Sequence, residues 1–185
     1  MAAALNRIHI VGASGSGTST LATAISERLG YKHLDTDQYY WLPTEEPFTK
    51  ARQIEDRIRL LSADLESHDK WVLSGSLCGW GDVFIPYFDL VIYLWIPQDI
   101  RMKRLEAREI GRYGEDIAAG GRRHESYQKF MEWASEYDTA GVEMRSKALH
   151  EAWLAALPLR CRIERLEGDL SIEEKLILIE EILTA

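Results

Sequence analysis

Apolar positions along this chain follow two alternating rhythms. Five short runs, RIHIVG (7–12), YKHLD (31–35), KWVLSGS (70–76), FDLVIYLWIP (88–97) and RCRIERLEG (160–168), are apolar or β-branched and stop at glycine, proline or polar residues. That pattern predicts strands. The fourth run is apolar throughout, which predicts a central strand covered on both faces. Between the runs the apolar residues recur at helical spacing: Leu21, Ile25 and Leu29 before Gly30, then Ile54, Ile58, Leu61 and Leu65 within 49–69. A glycine directly after an apolar stripe is a helix stop. Pro97 opens a further helix, QDIRMKRLEAREIG, as proline does at a first helical position.

The segment GRYGEDIAAGGRR (111–123) holds four glycines and predicts a mobile loop or small lid. Two helices are expected after it, over 124–137 and 141–157, and a last one in SIEEKLILIEEIL. Ser171 and Glu174 give that last helix a capping-box start. Strands alternating with helices predict an α/β protein with a parallel sheet. The expected architecture is a single domain over 1–185, in three layers: a five-stranded parallel sheet, helices on both faces and the small lid. Ligands in such sheets bind beyond the carboxyl ends of the strands. The segments after the first three strands should therefore converge on one rim.

Composition narrows the function classes. The 185 residues are 46% hydrophobic and 28% charged, as in an ordinary globular protein. A formal net charge of -8 argues against a nucleic-acid backbone or an anionic membrane as main partner. The two cysteines, Cys78 and Cys161, lack metal-type spacing and fit a reduced, cytoplasmic setting. No separate apolar targeting segment precedes the first strand. The longest apolar stretch, LVIYLWIP, is too short to span a bilayer. A monomer or homodimer is expected.

Chemistry begins in GASGSGTST (12–20), which has the outline of a phosphate-binding loop, G-x-x-x-x-G-K-[ST]. Gly12 and Gly17 have the right spacing, and Ser19 stands at the hydroxyl position. Ala13, Ser14, Gly15 and Ser16 form the turn, and Thr20 continues into the helix. Thr18 occupies the lysine position. Backbone N–H groups and the helix N-terminus supply donors that survive loss of the lysine. Ser19 can offer its hydroxyl to magnesium. The missing element is a cation against the phosphates, a group that stabilises phosphoryl transfer.

A replacement is available in the helix after the fourth strand. Arg101, Arg104, Arg108 and Arg112 recur at helical spacing on one face. The stripe is either a solvated face moderated by Glu106 and Glu109, or an anion clamp running into Arg122 and Arg123. A closing loop would bring those guanidiniums over phosphates, which their planar fork pairs with in bidentate fashion.

HLDTDQYYWLP places Asp35 and Asp37 at the end of the second strand. Alternate strand positions share a face, so continued extension would aim both at the site. One carboxylate suits the water shell of magnesium, and the other suits an acceptor hydroxyl. Tyr39, Tyr40 and Trp41 either wall the acceptor pocket or pack under the sheet; packing is the favoured reading.

These parts, in this order, resemble the P-loop small-molecule and nucleoside-monophosphate kinases, the group of adenylate, shikimate and gluconate kinases. LDTD is similar to the paired aspartates of shikimate kinases, which implies Asp35 near the magnesium shell and Asp37 on the acceptor hydroxyl. HLDTDQYYWLP also resembles adenylate-kinase-related bacterial proteins called topology modulation proteins. RLEAR resembles the arginine pair that opens the lid of adenylate kinases, implying Arg104 against adenine and Arg108 on phosphate. EMRSKALHEAW looks like the helix after the lid, implying Arg145 directed at the transferred group.

Three features depart from that pattern. Thr18 replaces the loop lysine. LSGSLCGW lacks the acceptor-phosphate arginine of adenylate kinases, which argues against AMP held in the usual way. It leaves a neutral acceptor, or a phosphate held by Arg52 or Arg57. Ser74 stands where an aspartate is usual and shifts the metal role to Ser19 and Asp35. The expected function is an ATP-dependent phosphotransferase using Mg2+ on a small-molecule or nucleotide acceptor. The alternative, from a different class, is a nucleotide-binding regulator or sensor with little or no turnover. The missing lysine and the missing aspartate after the third strand motivate it; the retained LDTD pair counts against it.

Overall fold

The computed structural model describes residues 5–185; the first four residues of the expected domain lie outside it. Five parallel strands form one sheet in the order β2-β3-β1-β4-β5. They are β1 (Arg7–Gly12), β2 (Lys32–Asp35), β3 (Trp71–Ser74), β4 (Leu90–Trp95) and β5 (Arg162–Glu167). Seven α-helices connect and follow them: α1 (Thr18–Leu29), α2 (Thr36–Tyr40), α3 (Ile54–Glu66), α4 (Gln98–Tyr113), α5 (His124–Ser135), α6 (Lys147–Ala155) and α7 (Ile172–Thr184). β1 lies in the middle, paired with β3 on one side and β4 on the other. That arrangement puts the loop after β1 at the centre of the carboxyl-end rim.

Each face of the sheet buries its own apolar set, because successive strand residues point to opposite sides. Ile8, Ile10, Val72, Ile92 and Leu94 pack against Leu21 and Ile25 of α1 and Leu176 and Ile179 of α7. Val11, Leu73, Val91 and Tyr93 pack against Leu61 and Leu65 of α3 and Trp153 and Leu154 of α6. The apolar β4 run is therefore covered on both sides, as its composition predicts. Gly30 caps α1 in the left-handed region at φ 71°. The expected capping box closes at Ser171 and Glu174, with Glu174 N donating to Ser171 Oγ at 3.2 Å and Ser171 N to Glu174 Oε2 at 2.8 Å.

Four boundaries differ from the periodicity. The helix expected over 49–69 begins only at Ile54. The preceding residues instead form a strap: Leu42 N donates to Lys50 O at 2.9 Å and Arg52 N to Tyr40 O at 2.7 Å. The expected helix over 141–157 begins at Lys147, because the Ser146 hydroxyl caps Leu149 N at 3.0 Å. Arg145 therefore sits in an irregular segment before α6. The β2 strand does not continue through Asp37: Asp35 caps α2, and Asp37 lies in its first turn. The fourth helix runs on to Tyr113, two residues past its expected end and three into the expected lid, and Gly114–Ile117 forms a short 3₁₀ turn.

Candidate active site

The loop after β1 is shaped by backbone. Gly15 adopts φ +81°, and a Cβ there would lie 2.9 Å from Arg101 O, so only glycine fits. A Cβ at Gly12 would meet Leu94 O at 2.6 Å and Ser16 Oγ at 2.7 Å. Among the described residues the amides of Ser14, Gly15 and Gly17 have no hydrogen-bond partner, and Thr18 and Ser19 stand in the first turn of α1. The fully buried Ser16 hydroxyl also has no partner. Unsatisfied donors gathered at a helix N-terminus fit an anion of phosphate type.

Next to this cradle is an oxygen-rich corner. Ser19 Oγ donates to Asp35 Oδ2 at 2.6 Å, and Ser74 Oγ donates to the same oxygen at 2.9 Å. Asp35 Oδ1 accepts from Asp37 N at 3.0 Å. His33 Nε2 lies 2.9 Å from Ser74 Oγ; burial lowers its pKa, opposed by the Asp35 charge. A carboxylate with two hydroxyls suits a hard cation that keeps several waters, as magnesium does. Ser74 thus takes part in the corner by holding Asp35.

An open cleft of about 1850 Å³ extends from this corner. Single-ligand pockets are roughly 300–1,000 Å³, so the cleft has room for two ligands. Gly12 to Thr20, Asp35, Asp37, Arg104, Arg108, Arg122, Arg123 and Arg145 all line it. The site residues expected from the sequence are therefore brought together, although two of them arrive by a different route. Asp35 and Asp37 converge through a helix cap rather than an extended strand. Asp37 has its pKa raised, first by desolvation between the cleft walls and then by the Asp35 charge, while Arg145 and Arg108 act in the opposite sense.

The arginine stripe divides. Arg101 is fully buried and does not reach the cleft. It donates to Ile96 O at 3.0 Å and pairs with Asp138, so it pins α4 to the segment after α5. Helical spacing alone does not separate it from its exposed neighbours. Arg104 pairs with Asp169 at 2.6 Å, Arg108 with Glu109 at 2.9 Å and Arg122 with Asp116 at 2.8 Å. Arg112 also reaches Glu109, at 3.6 Å. Among the described residues Arg145 and Arg123 have no carboxylate partner. Arg145 lies 5.6 Å from the Trp133 ring and Arg123 4.2 Å from that of Tyr113.

On the acceptor side the aromatics also divide. Tyr39 is buried and donates to Asp64 Oδ2 at 2.6 Å. Tyr40 stacks on the Arg57 guanidinium at 3.8 Å, and Trp41 lines the cleft. Arg57 is buried, outside the cleft lining, and donates to Arg52 O at 2.7 Å. Arg52 lines the cleft but donates to Tyr39 O and Trp41 O, at 3.0 and 3.3 Å. Sequence reasoning missed Ser76 and His33 as site members and gave Ser74 no part in the site. Their place beyond or within strands that end at the rim is the signal that identifies them. His150, behind Ser76, carries no local signal at all.

Among the described residues no group of three or more His, Cys, Asp or Glu could hold a metal by itself, and no helix is long and apolar enough to cross a membrane. Both cysteines are free.

Comparison with known proteins places the chain. The profile of the family described as AAA domain matches residues 8–128. The Uncharacterized protein YqaC of Bacillus subtilis is 55% identical over 168 residues, covering 91% of this chain and 92% of that one. Cytidylate kinase of Haloarcula marismortui is 31% identical over 113 residues, 55% of this chain and 58% of that enzyme. Among solved structures, shikimate kinase from Bacteroides thetaiotaomicron superposes with a TM-score of 0.58 at 20% identity, covering 97% of this chain and 98% of that one.

Proposed function

This chain belongs to the AAA domain family and has the P-loop kinase fold, and on that premise we propose that it is an ATP-dependent phosphotransferase acting on a small hydroxyl-bearing acceptor with Mg2+. One observation carries the reading. One cleft is lined by a phosphate cradle and by a carboxylate of raised pKa, Asp37, with the Arg145 guanidinium on the same lining and opposing that rise. A protein that only binds nucleotide has no use for an acceptor-side carboxylate.

The residues divide the work by chemistry. The free backbone amides of Ser14, Gly15 and Gly17, with those of Thr18 and Ser19 in the first turn of α1, hold the triphosphate. Ser19 and Asp35 would hold magnesium, with Ser74 orienting the carboxylate. When bound, magnesium neutralises phosphate charge. Asp37 accepts the proton of the acceptor hydroxyl as the oxygen bonds to the terminal phosphorus and the bond to the ADP oxygen breaks. Arg145 supplies charge to the transferred group in place of the cation that Thr18 lacks. Arg108 and Arg122 reach the phosphates by exchanging their present carboxylates, Arg123 by leaving the Tyr113 ring, and Arg104 faces the base end near Asp169.

The test is ADP release measured over a panel of nucleosides, nucleotides, sugars and hydroxy acids, with calorimetry of ATP and Mg2+ alongside. ATP binding with turnover of at least one acceptor is expected. Binding without turnover of any acceptor favours the regulator or sensor instead. No binding overturns both readings.

A further inference from the structure

Behind the cleft, a chain of four side chains runs through the core. Tyr93 OH and Tyr137 OH are 2.9 Å apart. Tyr137 OH lies 2.8 Å from His150 Nδ1, and His150 Nε2 lies 3.1 Å from Ser76 Oγ. All four residues are buried, and His150 is fully so. Ser76 alone of the four lines the cleft, on the loop after β3.

The proton count fixes the direction of this chain. Each hydroxyl has one proton, and the neutral imidazole has one N–H. Run towards Tyr93, the chain would leave the Tyr93 O–H without an acceptor among the described residues, at a fully buried position. A buried donor left unpaired is costly. Run towards Ser76, every buried donor is satisfied: Tyr93 donates to Tyr137, Tyr137 to His150 Nδ1, and His150 Nε2–H to Ser76 Oγ. The proton left over is that of Ser76, at the cleft wall. The Cys78 thiol is the other acceptor within reach; burial raises its pKa and keeps it protonated, and a thiol sulfur accepts weakly. Burial lowers His150 to about 3, with Arg145 adding in the same sense, so the imidazole stays neutral and carries a single N–H.

We propose that Ser76 is a specificity residue of the acceptor site, its O–H aimed into the cleft by the Tyr93–Tyr137–His150 chain to donate to a second oxygen of the acceptor. His150 is a positioning residue. The acceptor class that follows is a molecule with two oxygens, one hydroxyl for Asp37 and one lone-pair oxygen for Ser76. The two arginines next to the strap leave this role open, since Arg57 is buried under Tyr40 and Arg52 holds two backbone carbonyls. This inference rests on the kinase reading of the cleft, but its first test does not.

That first test is nitrogen-15 histidine NMR on the full chain. His150 is expected as the Nε2–H tautomer, unchanged across the neutral range. The Nδ1–H tautomer overturns the proposal whatever the protein does. The second test uses the best acceptor found in the panel. Ser76→Ala is expected to raise its KM roughly threefold to tenfold, the worth of one hydrogen bond, with the KM for ATP unchanged. His150→Gln, which keeps a donor to Ser76, should stay close to wild type, and His150→Phe should match Ser76→Ala. Equal shifts in both KM values, or none in the acceptor KM, overturn it. If the wild type turns over no acceptor in the panel, the kinase reading fails, and the NMR result still decides the direction of the chain.

Discussion

The Ser19 hydroxyl and Asp35 Oδ2 are 2.6 Å apart, joining the first turn of α1 to the end of β2. Ser74 Oγ meets the same oxygen from β3 at 2.9 Å. Three adjacent segments of the rim thus share one carboxylate oxygen, which gives the corner a fixed geometry. Asp35→Asn should keep the fold and lower affinity for ATP with magnesium by about 10–100-fold, the usual effect of disturbing a metal's supporting ligands. Calorimetry with and without magnesium checks it: binding of ATP alone should change far less.

Thr18→Lys separates a borrowed cation from a decayed site. On the proposed reading Arg145 and the lid arginines supply the positive charge, so the added lysine should change ATP affinity by less than about threefold, the scale of screened charge pairs. A large gain in affinity would mean that the site lacks a cation. Arg145→Ala, by contrast, should cut turnover strongly while leaving ATP binding nearly intact.

Asp37→Asn should lower turnover by roughly 10²–10⁴-fold, the range of a lost general base. ATP affinity should hold. Loss of both together would assign Asp37 to nucleotide binding rather than to the acceptor.

Arg101→Met removes the buried partner of Asp138. Breaking a buried pair from one side costs about 3–5 kcal/mol, and the lower end applies here because Trp95 Nε1 still donates to Asp138 at 2.8 Å. Urea unfolding measures the loss. An unchanged midpoint would return Arg101 to the solvated stripe that its spacing suggests.

Two buried histidines make stability fall with acid. His9 has its pKa lowered from 6.5 to about 4 and His150 to about 3, both chiefly by burial. The folded pKa is below the unfolded one, so below pH 6.5 the unfolded chain binds more protons and stability drops as pH falls. Each histidine contributes up to ~1.4 kcal/mol per pH unit between about 6.5 and its folded pKa. His9→Asn should reduce that slope by about half in unfolding curves taken from neutral pH down to pH ~4.5.

The sequence by itself determined the elements and most of the cleft. The β-branched runs and the glycines of 12–17 depend on local conformation, which spacing records; the LDTD pair was legible as residues of the site, but through a helix cap that strand alternation does not predict. Thr18 was legible too, since a missing cation shows in one position. The tertiary structure alone decided which cations are free. Arg101 and Arg145 look alike in the chain, yet one is buried on Asp138 and the other lines the cleft without a carboxylate partner among the described residues. It also decided the strand order, which brings the ends of β1, β2 and β3 side by side, and the Tyr93–Tyr137–His150–Ser76 chain, whose members lie up to 74 residues apart. Hydrogen bonds between residues so distant are set by how helices dock on a sheet. No local pattern encodes them, because the pairing exists only once α6 is docked on its face of that sheet.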